Sequence, residues 1–179
     1  LIHAPIRSSL GQQYYRSMCA AVNYAFANRQ LIAHWVRDVF ARVMGSSKGM
    51  SQVYDVCHNV AKIEKHLIDD KLREVCVHRK GATRSFGPGR PEIPEAYRSK
   101  GQPVIIPGSM GTASYLLVGT AEAERLSFSS TAHGAGRVMS RHEALRRFRG
   151  EQIRDELQKK GIELRSTSWK GVAEEASAA

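Results

Sequence analysis

Apolar side chains recur at every third or fourth position through the first quarter of the chain. Tyr14 and Met18 begin this stripe, and Trp35 lies on it further along. Such spacing places the side chains on one face of an α-helix, so it predicts a helix over residues 11–45. A helix of this length is long for a globular protein. We therefore expect a bend near Asn28 and an aromatic stripe that lies in the core.

The centre of the chain changes to short β-branched and apolar runs that turn residues separate. These runs predict strands over residues 53–56, 60–68, 72–78, 102–106, 115–118 and 126–131. Asp69, Asp70 and Lys71 stand between the second and third runs and indicate a hairpin turn. Three prolines and two glycines make residues 86–94 irregular, and residues 79–84 are expected to form a basic loop.

Helical signals return after residue 139. Ser140 and Glu143 have the spacing of a capping box, which predicts a helix that begins there and continues to Gly161. A last strand is predicted over residues 162–165. The predicted fold class is α+β, a mixed β-sheet core with a long N-terminal helix and a C-terminal helix, in a single domain over residues 1–179.

Composition narrows the class of partner. The chain has 27 lysines and arginines against 17 acidic residues, a formal net charge of +10, which favours a polyanionic partner over a neutral one. The three cysteines, Cys19, Cys57 and Cys76, form no C-x-x-C pair, so a reducing, cytoplasmic setting is expected. No apolar run reaches membrane-spanning length, and no signal-peptide pattern is present.

One segment combines a candidate nucleophile with an anion-binding turn. His133 is followed by Gly134, Ala135, Gly136 and Arg137. Glycines let the backbone approach a ligand closely, backbone N–H groups in such a turn can cradle an anion, and arginine suits phosphate. A neutral imidazole nitrogen can attack phosphorus and hold it covalently. A turn with a solvated histidine is the alternative interpretation.

Other candidates lie in the centre of the chain. His58 is the best metal-ligand candidate, and Asn59 beside it offers an amide to a phosphate. Cys57 is placed on the opposite face by strand alternation. Cys76 and His78 share a face and form a weaker metal candidate. A histidine hydrogen-bonded within the core is the alternative for His58.

The basic residues fall into two groups, each beside a glycine-rich loop. Arg79, Lys80 and Arg84 form the first, and the second contains Arg137, Arg141, Arg146, Arg147 and Arg149. Contacts from arginine and lysine to phosphate provide most nucleic-acid affinity. A path for RNA phosphates is therefore expected, with solvated surface cations as the alternative.

Four segments in this order resemble the RtcB family of RNA ligases. They are residues 55–62, 78–84, 101–115 and 133–137. The resemblance implies a ligase that uses GTP and manganese to join RNA ends bearing a 2′,3′-cyclic phosphate or 3′-phosphate to 5′-hydroxyl ends. Its substrates are tRNA halves in tRNA splicing and broken RNA in repair.

The resemblance also implies residue roles. His133 becomes the nucleophile that takes GMP, His58 a manganese ligand that also lies at the nucleotide, and Ser114 a guanine contact. The remaining guanylate contacts implied are Asn59, Pro107, Gly108, Ser109, Met110, Gly134, Ala135 and Gly136. Arg79, Lys80, Arg137 and Arg141 fit the RNA phosphates.

The chain also departs from the family pattern. The family's other metal ligands and a C-terminal guanine-contacting lysine lie in portions that the sequence lacks, so we expect the C-terminal part of a catalytic domain, truncated at both ends and inactive alone. An archease-type activator is a further expected partner. Two alternatives stay open: a non-catalytic RNA-binding fragment, and a metal-dependent phosphoesterase that uses His58 and His78.

Overall fold

The computed structural model describes residues 3–134 and 136–176. The helices are α1 (Ser9–Met44), α2 (Glu95–Arg98), α3 (Ala121–Ser127), α4 (Arg141–Arg147), α5 (Gly150–Lys159) and α6 (Trp169–Glu174). The strands are β1 (Asn59–Ile68), β2 (Lys71–Lys80), β3 (Ala82–Arg84), β4 (Pro103–Ile106), β5 (Tyr115–Val118) and β6 (Ser130–Ala132). They pair in twos, as β1–β2, β3–β6 and β4–β5. The predicted α+β class is confirmed.

The long N-terminal helix is confirmed, and both of its ends are capped. The Ser8 hydroxyl accepts a hydrogen bond from the Gly11 amide at 3.1 Å, which caps the first turn of α1. Gly45 ends the helix in the left-handed conformation, at φ 78°. The helix continues through Asn28, where the sequence predicts a bend.

The apolar stripe of α1 is not the core that the sequence predicts. The N-terminal half packs on β1, where the Ala61 amide lies 3.0 Å from the Met18 sulfur. Further along, Trp35 is 57% exposed and Phe40 is 46% exposed. The described residues leave this part of the stripe uncovered, so its predicted burial is wrong for this chain.

The predicted hairpin is confirmed, with longer strands. The register pairs Asn59 with Lys80 at the open end and Ile68 with Lys71 at the turn. Asp69 and Asp70 both have positive φ, 49° and 57°, as a two-residue hairpin turn with the sheet's twist requires. The basic loop predicted over residues 79–84 is wrong, because β2 extends to Lys80 and β3 covers Ala82–Arg84, which leaves only Gly81 between the two strands.

Three predicted strands are wrong. Residues 53–56 and 162–165 have no regular secondary structure, and residues 126–131 contain the end of α3 before β6 begins. The Thr120 hydroxyl accepts from the Ala123 amide at 3.2 Å and so starts α3. A short helix with a local cap therefore forms where the apolar run alone predicts a strand.

The predicted C-terminal helix is divided in two. The Ser140 hydroxyl caps α4 by accepting from the Glu143 amide at 3.2 Å, as predicted. The Glu143 carboxylate accepts from Arg146 and Arg147, both at 2.6 Å. Phe148 is extended and separates α4 from α5, and Gly161 follows the end of α5 at φ 74°.

The described residues pack as two compact units. The hairpin unit contains residues 3–104 and 118–131, and the C-terminal unit contains 105–117, 132–134 and 136–176. The core of the C-terminal unit is formed by Ile153, Leu157, Val172 and Ala176. The predicted single domain stays a prediction. Among the described helices, none combines the length and apolar character that crossing a bilayer requires.

Three backbone segments of the hairpin unit are in close contact around Gln102. Its amide donates to the Phe86 carbonyl, and the Gly119 amide donates to the Gln102 carbonyl, both at 2.9 Å. The Gln102 side chain is fully buried. A Cβ at Gly101 would lie 2.3 Å from the Gly119 oxygen, and one at Gly119 would lie 2.3 Å from the Phe86 oxygen. Only glycine therefore fits at positions 101 and 119.

Candidate active site

His58 and Asn59 lie where the chain enters β1, and both are exposed. They line a pocket of about 210 Å³ between this segment and α1, together with Arg29 and the buried Cys57. His58 is exposed and Cys57 is buried, although the predicted strand on which their opposite faces were expected does not form. The pocket presents an imidazole, an amide and a guanidinium to one space, a combination that suits an anionic ligand.

Arg29 is a further residue of this pocket, and it is one of the polar residues of the predicted helix for which a solvated face was expected over a role in a site. Its Nε donates to Asp55 Oδ1 at 2.6 Å, and its Nη2 lies 3.6 Å from the Cys57 sulfur. Burial alone would lower the pKa of Arg29, but the hydrogen bond and charge of Asp55 raise it. The signal in the sequence is a polar residue within an apolar helical stripe.

The hairpin register brings Asn59 beside Lys80, although 20 residues separate them. The Asn59 side-chain oxygen accepts a hydrogen bond from the Gly81 amide at 3.1 Å, which orients the side chain. Lys80 is exposed at the same end of the hairpin. A predicted nucleotide contact and a predicted phosphate contact are therefore neighbours in the hairpin unit.

Arg79 occupies a different environment from Lys80. Its Nη1 and Nη2 donate to the two carboxylate oxygens of Glu64 at 2.9 and 2.8 Å, and only 1% of its side chain is exposed. Burial by itself would raise the pKa of Glu64, but hydrogen bonds from Arg79 and His66 lower it. Arg79 is thus part of an internal ion pair, and we propose no RNA contact for it.

The predicted guanylate loop lies in the C-terminal unit and is ordered by its own hydroxyl groups. The Gly108 amide donates to Ser114 Oγ at 3.0 Å, and the Ser109 amide donates to Thr112 Oγ1 at 2.8 Å. A Cβ at Gly108 would lie 2.3 Å from the Ala113 carbonyl oxygen. These contacts fold residues 107–114 into a compact turn.

Two further residues of this loop face different surroundings. Pro107 is exposed, whereas Met110 is half-buried and packs on the apolar core of the C-terminal unit. Met110 therefore anchors the loop to that core. Pro107, Ser109 and Ser114 remain on the exposed side.

His133 follows β6 directly and is half-buried. Gly134 and Gly136 are exposed, and Gly136 has φ 79°, a left-handed conformation that glycine adopts without strain. Ala135 lies outside the described residues. The predicted turn after the histidine is consistent with this backbone.

Arg137 and Arg141 converge on one carboxylate. Arg137 Nη1 lies 3.2 Å from Glu175 Oε2, and Arg141 Nε lies 3.1 Å from Glu175 Oε1. Arg137 Nη2 also donates to the Glu174 carbonyl. Two guanidinium groups that share one anionic group can also share a phosphate, which has similar charge and acceptor geometry.

The site residues are therefore divided between the two units. The hairpin unit carries His58, Asn59 and Lys80, and the C-terminal unit carries the 107–114 loop, His133 and the two arginines. Within the described ranges, no three His, Cys, Asp or Glu side chains are grouped so that they could hold a metal ion. A self-contained metal phosphoesterase needs such a group, and His78 instead lies 3.2 Å from the Tyr14 hydroxyl.

Comparison with known proteins gives one consistent family. The family profile described as tRNA-splicing ligase RtcB matches residues 1–179. A tRNA-splicing ligase RtcB of Archaeoglobus fulgidus is 57% identical over 176 residues, which is 97% of this chain and 36% of that protein. The corresponding ligase of Pyrococcus abyssi is 54% identical over 182 residues, covering 100% of this chain and 20% of that protein.

A eukaryotic relative shows the same relationship. The RNA-splicing ligase RtcB homolog 1 of Entamoeba histolytica is 53% identical over 179 residues, covering 98% of this chain and 34% of that protein. The chain thus spans about a third or less of the length of these curated relatives. With a profile match along its whole length, and with the segments of the candidate site among the residues matched, the chain belongs to the RtcB family of tRNA-splicing ligases.

Proposed function

We propose that this chain carries the histidine-bearing part of an RNA ligase that joins 2′,3′-cyclic phosphate or 3′-phosphate RNA ends to 5′-hydroxyl ends. Family membership along the whole chain is the observation that carries the proposal. The arginine pair that follows His133 and already holds one anionic group supports it. The cellular roles proposed are tRNA splicing and RNA repair.

For a 2′,3′-cyclic end, water first attacks the phosphorus and the P–O2′ bond breaks, which leaves a 3′-phosphate and a 2′-hydroxyl. The proposed reaction then proceeds in three transfers. A neutral His133 nitrogen attacks the α-phosphorus of GTP, so a P–N bond forms and pyrophosphate leaves. An oxygen of the RNA 3′-phosphate then attacks the same phosphorus, and the histidine leaves. Finally the 5′-hydroxyl oxygen attacks the activated 3′-phosphorus, which forms the RNA phosphodiester and releases GMP.

The residues of this chain have distinct tasks in that scheme. The 107–114 loop, with Ser114, would hold the guanosine, and its internal hydrogen bonds keep it preorganised. Gly134, Ala135 and Gly136 would let the backbone approach the transferred phosphate. Arg137 and Arg141 would exchange Glu175 for phosphate oxygens.

Manganese is part of the proposal, with His58 as one of its ligands. Bound there, the metal would supply Lewis-acid stabilisation of phosphate charge. One imidazole is an incomplete donor set, so the other ligands would come from ligase segments beyond residues 1–179. Asn59 beside His58 would contact the nucleotide. An archease-type activator is proposed only from the family resemblance.

Covalent labelling tests the proposed nucleophile. Residues 1–179 are placed in the full-length Archaeoglobus fulgidus relative in exchange for the matching segment (the grafted ligase), which is incubated with α-³²P-labelled GTP and Mn²⁺. We expect acid-labile label on the protein in a denaturing gel, and none with His133→Ala. His142→Ala, an exposed histidine nine residues later, is the matched control that keeps the label.

Two outcomes contradict the proposal. Label that persists in His133→Ala would place the chemistry at another residue. A grafted ligase that binds GTP and Mn²⁺ but takes no label would favour the second candidate function, a non-catalytic RNA-binding module. The incomplete metal donor set of the described residues is the observation that keeps this second function in view.

A further inference from the structure

A buried arginine of the hairpin holds the segment that leads to His133. Arg79 on β2 forms a two-pronged ion pair with Glu64 on β1, with 1% and 4% of the two side chains exposed. His66 completes the cluster, its Nε2 lying 3.0 Å from Glu64 Oε2. This ion pair accounts for only part of the hydrogen-bonding capacity of the guanidinium.

The guanidinium of Arg79 also donates hydrogen bonds to the turn between α3 and β6. Arg79 Nε donates to Ser130 Oγ at 2.9 Å, and Nη2 donates to the Phe128 carbonyl at 2.8 Å. Phe128 and Ser129 are left-handed, with φ of 50° and 51°. Two consecutive non-glycine residues in this conformation are strained, and such strain persists only when surrounding contacts impose it.

Other bonds to the turn come from the residue after β3 and from the end of α3. The Ser85 amide donates to the Ser129 carbonyl at 2.7 Å, and the Ser127 hydroxyl contacts the Ser130 carbonyl at 2.6 Å. Arg79 adds side-chain bonds from the β1–β2 hairpin to the backbone bonds that Ser85 and the β3–β6 pairing supply. β6 starts at Ser130, and His133 is the residue after its end.

We propose that Arg79 is a positioning residue for His133: by holding Phe128 and Ser130 through one guanidinium fixed on Glu64, it fixes, together with the β3–β6 pairing, the start of the strand that His133 directly follows. This inference rests on the proposed function of His133. Buried ion pairs add little net stability compared with apolar residues of the same shape. The bonds to the turn give Arg79 a task that an apolar residue could not perform.

The test compares two arginines of the same unit in the grafted ligase. Arg79→Lys keeps the charge beside Glu64 but loses the planar fork that reaches the turn. Arg90→Lys is the matched control, because Arg90 pairs with Glu92 and Glu124 and has no bond to residues 128–130 among the described contacts. Guanylylation rates are measured over a range of GTP concentrations, with the melting temperature of each variant.

We expect Arg79→Lys to lower the maximal rate about tenfold or more while the half-saturating GTP concentration changes less than about twofold, because misplacing a nucleophile by a fraction of an ångström affects reaction more than binding. Arg90→Lys keeps both values. Ser130→Ala, which removes one bond and leaves no buried charge, lowers the rate about threefold, and decides the question if Arg79→Lys does not fold.

Several results would overturn the inference. The first is a maximal guanylylation rate for Arg79→Lys equal to that of the parent. The second is an equal loss of maximal rate in Arg90→Lys, and the third is a loss of GTP affinity in Arg79→Lys as large as its loss of rate. Hydrogen exchange provides a second reading that does not depend on the reaction: amides of residues 128–133 should exchange faster in Arg79→Lys only. If the parent takes no label, the proposed function fails, while unchanged exchange in Arg79→Lys separately refutes the positioning role.

Discussion

Glu64 is a charged group in the interior of the hairpin unit, and its titration links stability to pH. Hydrogen bonds from Arg79 and His66 outweigh burial and lower the pKa of Glu64 in the folded state. A carboxyl with a lowered folded pKa stabilises the fold above its unfolded pKa, about 4.3, and that contribution disappears as pH falls through the folded value.

The corresponding prediction compares the parent chain with Glu64→Gln in urea unfolding between pH 7 and pH 3. At pH 7 the variant should be less stable, because the substitution leaves the Arg79 charge buried without its partner. The difference in unfolding free energy should shrink below about pH 4.3 as the parent loses its carboxylate. A difference that stays constant with pH would show that the ion pair does not drive this linkage.

Gly108 provides a second prediction at the scale of one residue. A methyl group there would lie 2.3 Å from the Ala113 carbonyl oxygen and 2.7 Å from Thr112 Oγ1. Gly108→Ala should therefore distort the loop and lower the unfolding free energy by about 1–3 kcal/mol. The control is Gly171→Ala in α6, where the nearest atoms are 4.0 Å away. Equal stability of the two variants in urea would contradict the predicted strain.

The sequence shows which residues carry a charge, but it did not predict which of them are buried. Lys80 and Arg79 are adjacent and chemically similar, yet one is exposed and the other is buried. The difference depends on Glu64, whose position opposite β2 follows from the strand register and not from local sequence. Burial of a charge is decided by a distant partner, so a basic cluster in the sequence cannot show it.

At the scale of elements, the turn of the β1–β2 hairpin can be stabilised by a substitution. Asp70 has φ 57°, a conformation in which glycine is unstrained and an aspartate is not. Asp70→Gly should raise the unfolding free energy by about 0.5 kcal/mol in urea. Asp155→Gly is the control of opposite sign, because within α5 the change from aspartate to glycine should lower the unfolding free energy by about 0.3 kcal/mol. Destabilisation by Asp70→Gly would argue against the described turn.

Elements with strong local signals were predictable. The long helix, the hairpin and the Ser140 cap each follow from spacing or turn chemistry over a few residues. The wrong strand over residues 126–131 comes from an apolar run that tertiary contacts divide between a helix and a strand. The helix α6 escaped prediction because it spans only Trp169–Glu174, too short to display a period.

At the scale of the whole molecule, the net charge of +10 predicts salt-sensitive RNA binding. Binding of an RNA with a 3′-phosphate is measured by fluorescence anisotropy at several KCl concentrations. Lys80→Ala should reduce the slope of log K against log salt by about one, as expected for the loss of one phosphate contact. Lys159→Ala, an exposed lysine at the end of α5, should leave the slope unchanged. Equal effects would indicate diffuse attraction without a defined phosphate path.

The candidate site could be predicted only as far as its segments are recognisable. Four segments identified the family, and the comparisons agree with it over the whole chain. The number of metal ligands could not be predicted from these residues, because a metal site is completed in space and His58 alone does not define one. The guanylate contacts and the manganese ligand stay predictions.

The backbone contacts at Gln102 restrict which segments of this protein can be exchanged for those of a relative. Gly101 and Gly119 are in contact through backbone atoms. A larger residue at one position cannot be compensated by a smaller residue at the other, because both are already glycine. Loop shuffling between distant ligases would therefore succeed only when residues 86, 101, 102 and 119 come from the same parent. A split reporter could be made by cutting the chain between residues 106 and 115. Residues 86, 101 and 102 would then lie on one fragment and residue 119 on the other, so reassembly of the fragments would depend on these backbone contacts forming again.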